Sequence, residues 1–220
     1  MTEKEENKLL QTCSKEINKF IKELGYTKNS TTNYQLVNNE LLIGFEFRRT
    51  GSIFLLNWFV MPLIPSCNNF TLDIGERYQF FADVNALHND RSALNDFIGT
   101  ITNVIFEFNQ LMRTINSLSD LYEYFYVKNN WNKLKWVKGK SAFRNYERLI
   151  YIKAYLGLDF EKEVDNFFYC ADQIRDLAPW DIEVIEGVEY IMRLKSENGY
   201  KIKEYLQSQI QKTINELKIN

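Results

Sequence analysis

A chain of 220 residues is long enough to bury a sizeable core without disulfide or metal staples, and lies near the upper end of what forms one domain. Hydrophobic residues make up 45%, aromatics 15% and charged residues 25%, a balance that excludes disordered and collagen-like chains. The net charge of −2 is unlike the basic balance of a typical nucleic-acid binder.

Cys13, Cys67 and Cys170 are the three cysteines, an odd count without a CxxC pair or zinc-finger spacing, as expected of reduced thiols in a cytosol. The start, Met1-Thr2-Glu3-Lys4, is charged, and no uncharged apolar run reaches the roughly eighteen residues that a membrane span needs. A cytoplasmic protein without signal peptide or membrane contact is therefore expected. The glycosylation triplets at Asn29 and Asn69 are discounted on the same ground. Abundant Asn, Lys, Ile, Tyr and Phe beside seven Ala is the codon signature of a low-GC gene, which points to a bacterial source.

Leu9, Leu10, Cys13, Ile17, Phe20, Ile21 and Leu24 recur at helical spacing, and Gly25 supplies a stop, so the chain opens with an amphipathic helix. From about Thr32 to Tyr78 the period becomes two. Leu41, Ile43, Phe45 and Phe47 alternate with Leu42, Gly44, Glu46 and Arg48, and turn sequences stand at Asn38-Asn39 and Thr50-Gly51-Ser52. A third strand, Ile53 to Met61, is apolar on both faces except at Asn57 and stops at Pro62 and Pro65. Phe70, Leu72 and Ile74 predict a fourth strand, which exits through Glu76-Arg77-Tyr78.

Beyond Arg91 every periodicity is helical. Ser92 is expected to cap a long helix to Ile115, Ser117 a shorter one through Tyr126, and Ser141 another to Leu156, ended by Gly157. Helices over 160–177 and 180–197 follow, the second entered through Pro179, and Asn198-Gly199 precede a terminal helix to about Leu217. The predicted fold is α+β: an N-terminal helix, a four-stranded antiparallel meander covered by helices, and a C-terminal helical region of about five helices. The parts divide at 116 and 117 within one continuous domain.

The order of an N-terminal helix, Leu24-Gly25-Tyr26, a strand opening near Tyr34, Trp58 before Pro62, and Phe70 to Arg77 written F-T-L-D-I-G-E-R resembles a bacterial family known as domain of unknown function 4304. The likeness spans roughly residues 5 to 160 and implies a small α+β protein with a helix, a meander and C-terminal helices. No catalytic activity comes with it.

Chemistry is sparse. His88 is the only histidine, in Leu-His-Asn-Asp, and reads as a solvated loop residue; a single histidine is also a poor start for a zinc or iron site. No Walker A or GxGxxG arrangement exists among the nine glycines, so no cofactor is implied. Carboxylate pairs such as Asp73 and Glu76, or Glu161 and Asp165, suit an acid–base role only if a cleft gathers them, and Asp73, Glu76, Arg77 and His88 are the set that such a cleft would need.

Charge is the most uneven feature. Residues 128–153 carry net +7, with Lys128, Lys133, Lys135, Lys138, Lys140, Arg144, Arg148 and Lys153 against Glu147 alone, interleaved with Trp131, Trp136, Phe143 and Tyr146. Basic residues among aromatics suit a polyanion, single-stranded nucleic acid included. Residues 157–191 carry net −8, so the two blocks nearly cancel and are expected to satisfy one another across neighbouring helices, which leaves nucleic acid the least favoured partner. Tyr122, Tyr124, Phe125 and Tyr126 add more aromatic surface than one short helix can hide, so part of it is expected in a seam between the sheet and the helical region, with a partner surface as the alternative reading. The expected function is a non-catalytic protein-binding module, of adaptor or toxin-immunity type, with Tyr122, Tyr126, Trp131, Lys133, Lys135, Trp136 and Lys138 as its candidate partner surface. An enzyme with a carboxylate site assembled only in three dimensions is the alternative, and nucleic-acid binding through 128–153 the next.

Overall fold

The computed structural model describes residues 2–64, 75–128, 140–197 and 200–217. The fold is α+β, with an N-terminal helix, one antiparallel sheet of five strands, and most of its helices C-terminal. Two compact units share the chain: of the described residues, 2–61 and 75–114 belong to the first, and 62–64 with those from 115 to 217 belong to the second.

In the first unit, helix α1 (Glu3–Glu23) starts in a capping box. The Thr2 hydroxyl accepts from Glu5 N at 3.3 Å, and Thr2 N donates to the Glu5 carboxylate at 2.7 Å. Leu10, Cys13, Ile17 and Ile21 form its buried stripe. Its far end is closed by Arg113, whose Nη2 donates to the Leu24 carbonyl at 2.8 Å, while Gly25 turns the chain at φ +93°.

The sheet has the order β1 (Thr27–Lys28), β2 (Asn33–Asn38), β3 (Leu41–Thr50), β4 (Ile53–Pro62), β5 (Arg77–Phe81). Asn39 at φ +54° and Gly51 at φ +57° supply the left-handed residues that tight hairpins need. Five strands replace the expected four. Strand β1 has only two residues, too few to show a period, and β5 begins at Arg77, where the sequence suggested an exit. The strand expected over 70–74 lies outside the described residues.

One face of the sheet is stitched to α3 (Arg91–Thr114) by rings: Phe54 meets Phe97 edge-on at 5.2 Å, and Trp58 stacks on Phe108 at 5.0 Å. Tyr26 sets its ring against Phe45 at 5.1 Å and donates its hydroxyl to Asn109 at 3.1 Å. On the opposite face, Gly44 lies where a Cβ would stand 2.2 Å from the Tyr34 carbonyl oxygen and 2.6 Å from the Phe59 ring, so that ring fills the place of the missing side chain.

Two expectations need correction here. Asp90, and not Ser92, caps α3: its carboxylate accepts from Ser92 N at 2.7 Å, and the helix already begins at Arg91. His88 is not in a loop but in helix α2 (Val84–Asn89), capped by Asp83; six residues are too few to carry a readable period.

In the second unit, Ser117 caps α4 (Leu118–Leu121), which continues as a π-helix, Tyr122–Lys128. Helix α5 (Lys140–Tyr155) follows, with Ser141 inside its first turn instead of before it. Gly157, at φ +70°, ends it. Its N–H reaches the Ala154 carbonyl, and that of Leu158 reaches Lys153, the two bonds of a Schellman motif.

Helix α6 (Glu161–Asp172) stops five residues short of its expected end, its last turn tightened by the bonds from Gln173 to Cys170 and from Ile174 to Ala171. Helix α7 (Pro179–Glu197) opens on proline, and the Asp181 carboxylate accepts from Ala178 N at 3.0 Å. Helix α8 (Tyr200–Leu217) is the last described element. Helix α5 packs against α6, α7 and α8, and it is the buried centre of this unit: Phe143, Ile150 and Ile152 are fully enclosed, and Phe143 stacks on Phe167 at 4.6 Å. No helix of the described residues is long and apolar enough to cross a membrane.

Candidate docking surface

A central helix should be apolar all round, yet α5 carries Arg144, Asn145, Glu147 and Arg148 in its second and third turns. Glu147 and Arg148 are buried, and so is Asp181 at the start of α7. Arg144 joins the two carboxylates: its Nη1 lies 3.2 Å from Glu147, and its Nη2 lies 3.6 Å from Asp181 and 3.4 Å from the Trp180 carbonyl. Burial raises the Glu147 carboxyl above its usual range; Arg144 and Arg148 pull it down, and Asp181 adds to the rise.

Further ion pairs tie the charge blocks together within this unit. Lys153 reaches Glu163 at 2.8 Å, with both side chains largely covered. Lys195, near the end of α7, meets Glu161 at 3.0 Å and Asp159 at 3.6 Å and lies 4.7 Å from the centre of the Phe160 ring. Helices α6 and α7 are thus linked by 173–178 at one end and by the ion pair from Lys195 to Glu161 at the other.

Of the ten acids in 157–191, these contacts take up Asp159, Glu161, Glu163 and Asp181. Asp165, Asp172, Asp176, Glu183, Glu186 and Glu189 are exposed and make no ion pair among the described residues. The same stretch is unusually apolar at its surface. Of the ten most exposed large hydrophobic residues among those described, seven lie between Leu158 and Met192, led by Tyr169 and Trp180.

Helix α7 explains part of this. Val184, Val188, Ile191 and Leu194 face the core. Ile182, Ile185, Glu189 and Met192 recur at three, four and three residues and form a second, outward side. Ile182 is 46% exposed, Met192 41% and Trp180, in the first turn, 52%. Glu183, Glu186 and Glu189 stand among them.

The sequence-based candidates fall differently. Trp131, Lys133, Lys135, Trp136 and Lys138 lie outside the described residues. Tyr122 is half-buried and stacks on Tyr126 at 5.9 Å in the π-helix. Tyr126 is buried, which withdraws it from any open aromatic patch, and so are Phe143 and Arg148.

Of the residues considered for an acid–base cleft, Glu76 and Arg77 are engaged by neighbouring side chains. Glu76 accepts from the Tyr78 hydroxyl at 2.7 Å, Arg77 Nε donates to Asn57 at 2.9 Å, and Asn57 in turn donates to Glu46. His88 is on α2, and Asp73 lies outside the described residues. Among the described residues, no group of three or more His, Cys, Asp or Glu could hold a metal ion. Two surface hollows, along 208–216 and 3–11, are each lined by one helix and bring no separate elements together.

The acidic, apolar side of α7 is hidden in the sequence because the acidic block that holds its carboxylates nearly balances the basic block in number. The usable signal was present in Trp180, Ile182, Ile185 and Met192, more apolar residues than one buried stripe requires. Comparison of the chain with protein-family models, with curated proteins and with solved structures gives no match.

Proposed function

We propose that this chain is a non-catalytic protein-binding module, of adaptor or immunity type, and that its docking surface is the outward side of α7. The observation that carries this reading is the second apolar side, Ile182, Ile185 and Met192, entered by an exposed Trp180 and set among the unpaired carboxylates of Glu183, Glu186 and Glu189. Trp is the residue most enriched among interface anchors, and apolar area interleaved with one sign of charge suits a partner that brings apolar residues among basic ones. The Arg144 contacts to Asp181 and to the Trp180 carbonyl hold the first turn of α7, so Trp180 is presented from a fixed backbone at little ordering cost. The resemblance to the domain family, which brings no activity with it, adds no chemistry to this proposal.

The test is affinity capture from the native host, followed by titration of the captured protein against purified variants. Trp180→Ala and the pair Ile182→Glu, Met192→Glu are expected to weaken binding at least tenfold. Glu186→Lys with Glu189→Lys should slow association and reduce its dependence on salt. A partner that binds all these variants as it binds the wild type, but is lost on changing Lys133, Lys135 and Lys138 to Glu, would return the docking surface to the basic stretch.

A further inference from the structure

We infer that the outer edge of β5 pairs with the same strand of a second copy, joining two sheets about a two-fold axis at Gln79. The first observation is the direction of the backbone. Ala82 N donates to the Ser52 carbonyl and Trp58 N donates to the Glu76 carbonyl, both in the register that pairs Ile53 with Phe81 and Asn57 with Arg77. Even-numbered positions of β5 therefore bond to β4, and the N–H and C=O groups of Arg77, Gln79 and Phe81 point away from it. No hydrogen bond to these outward backbone groups is made among the described residues, and all three residues are exposed.

Edge strands are usually blunted by shortness, lysine, proline or a bulge. The other edge obeys this: β1 has two residues and one of them is Lys28. Strand β5 has five residues, contains neither Lys nor Pro, and ends on Phe81, the most exposed large hydrophobic residue among those described at 68%.

The occupant follows from the order Arg77-Tyr78-Gln79-Phe80-Phe81. Three outward positions centred on Gln79 are matched by an antiparallel copy of themselves, which places Gln79 opposite Gln79 of the second copy. The same register sets Arg77 against Phe81, a cation facing a ring, and on the other face Tyr78 against Phe80, an aromatic pair. No like charges stand opposite one another, so the edge is self-complementary, as a two-fold interface requires.

Sedimentation equilibrium on the full chain, over a rising concentration series, should show the mass double. Phe81→Lys, which sets a lysine against the second copy's arginine, should leave only monomer; Phe81→Glu, which sets a carboxylate there, should keep the dimer. Gln79→Cys should form a disulfide-linked dimer on mild oxidation, with the wild type as control, because hydrogen-bonded antiparallel pairs hold their Cα atoms about 5.5 Å apart, within the roughly 4.4–6.8 Å that a disulfide spans. A wild type that stays monomeric throughout, or a dimer that survives Phe81→Lys and gives no cross-link at residue 79, overturns the inference.

Discussion

Arg144 lies between two carboxylates of different helices, 3.2 Å from Glu147 on its own helix and 3.6 Å from Asp181 on α7, and both acids are buried. Breaking such a group is costly because the partner charges stay behind without compensation. Arg144→Met should destabilise the protein by about 3–5 kcal/mol. Lys128→Met, which breaks the exposed pair with Glu123, should cost less than about 1 kcal/mol. Urea unfolding of both variants checks the contrast, and equal losses would contradict the reading of Arg144 as the centre of the cluster.

The same cluster sets a pH dependence. Burial raises the Glu147 carboxyl above its usual range, with Asp181 acting in the same direction and Arg144 and Arg148 opposing. A carboxyl that holds its proton more tightly folded than unfolded contributes stability that is complete below the unfolded value, about 4.3, and is lost as pH rises through the folded value. Glu147→Gln removes that titration. The variant should therefore gain on the wild type as pH climbs from about 4 toward neutrality, measured as the difference in unfolding free energy across a pH series. A constant difference would show that Glu147 does not titrate differently in the fold.

Much of the first unit was legible because β3 keeps a period of two where it meets polar residues: Phe45 and Phe47 are buried while Glu46 is half-buried and Arg48 exposed, even though Leu41 to Phe45 are covered on both faces. Elements too short for a period, Thr27–Lys28 and Val84–Asn89, were not legible, and neither was the choice of Asp90 over Ser92 as a cap. In the second unit the count of charges was visible, but not their partition. Burial of Glu147 and Asp181 depends on which helix passes which, and the carboxylates left unpaired on α7 emerge only after Arg144, Lys153 and Lys195 have taken their partners.

Glycine at 187 is set by Tyr151. A Cβ built there would stand 2.4 Å from the tyrosine hydroxyl oxygen, and the ring, 2% exposed, is enclosed on the central helix. On an open helix, Gly→Ala would stabilise by about 1 kcal/mol. Here overpacking should reverse the sign, with Gly187→Ala destabilising by about 1–3 kcal/mol. Tyr151→Phe removes the clashing atom, so Gly187→Ala in that background should cost far less than in the wild type. The coupling energy from this double-mutant cycle is the measurement, and a value near zero would contradict the close approach.

The Tyr78 phenol is pushed up to about 12, first by burial and then by the hydrogen bond it donates to Glu76 at 2.7 Å, with the Glu76 charge acting in the same direction. The folded phenol keeps its proton where the unfolded one, near 10, gives it up. Its contribution to stability is therefore complete below about pH 10 and is lost as pH rises through about 12. Glu76→Gln keeps an acceptor but removes the charge, and should move the Tyr78 titration down toward the ordinary tyrosine value. Tyrosinate absorbance, with a Tyr78→Phe variant subtracted to isolate the single ring, reads the shift directly. An unchanged midpoint in Glu76→Gln would assign the rise to burial against Phe108, 5.2 Å away, and leave Glu76 no part in it.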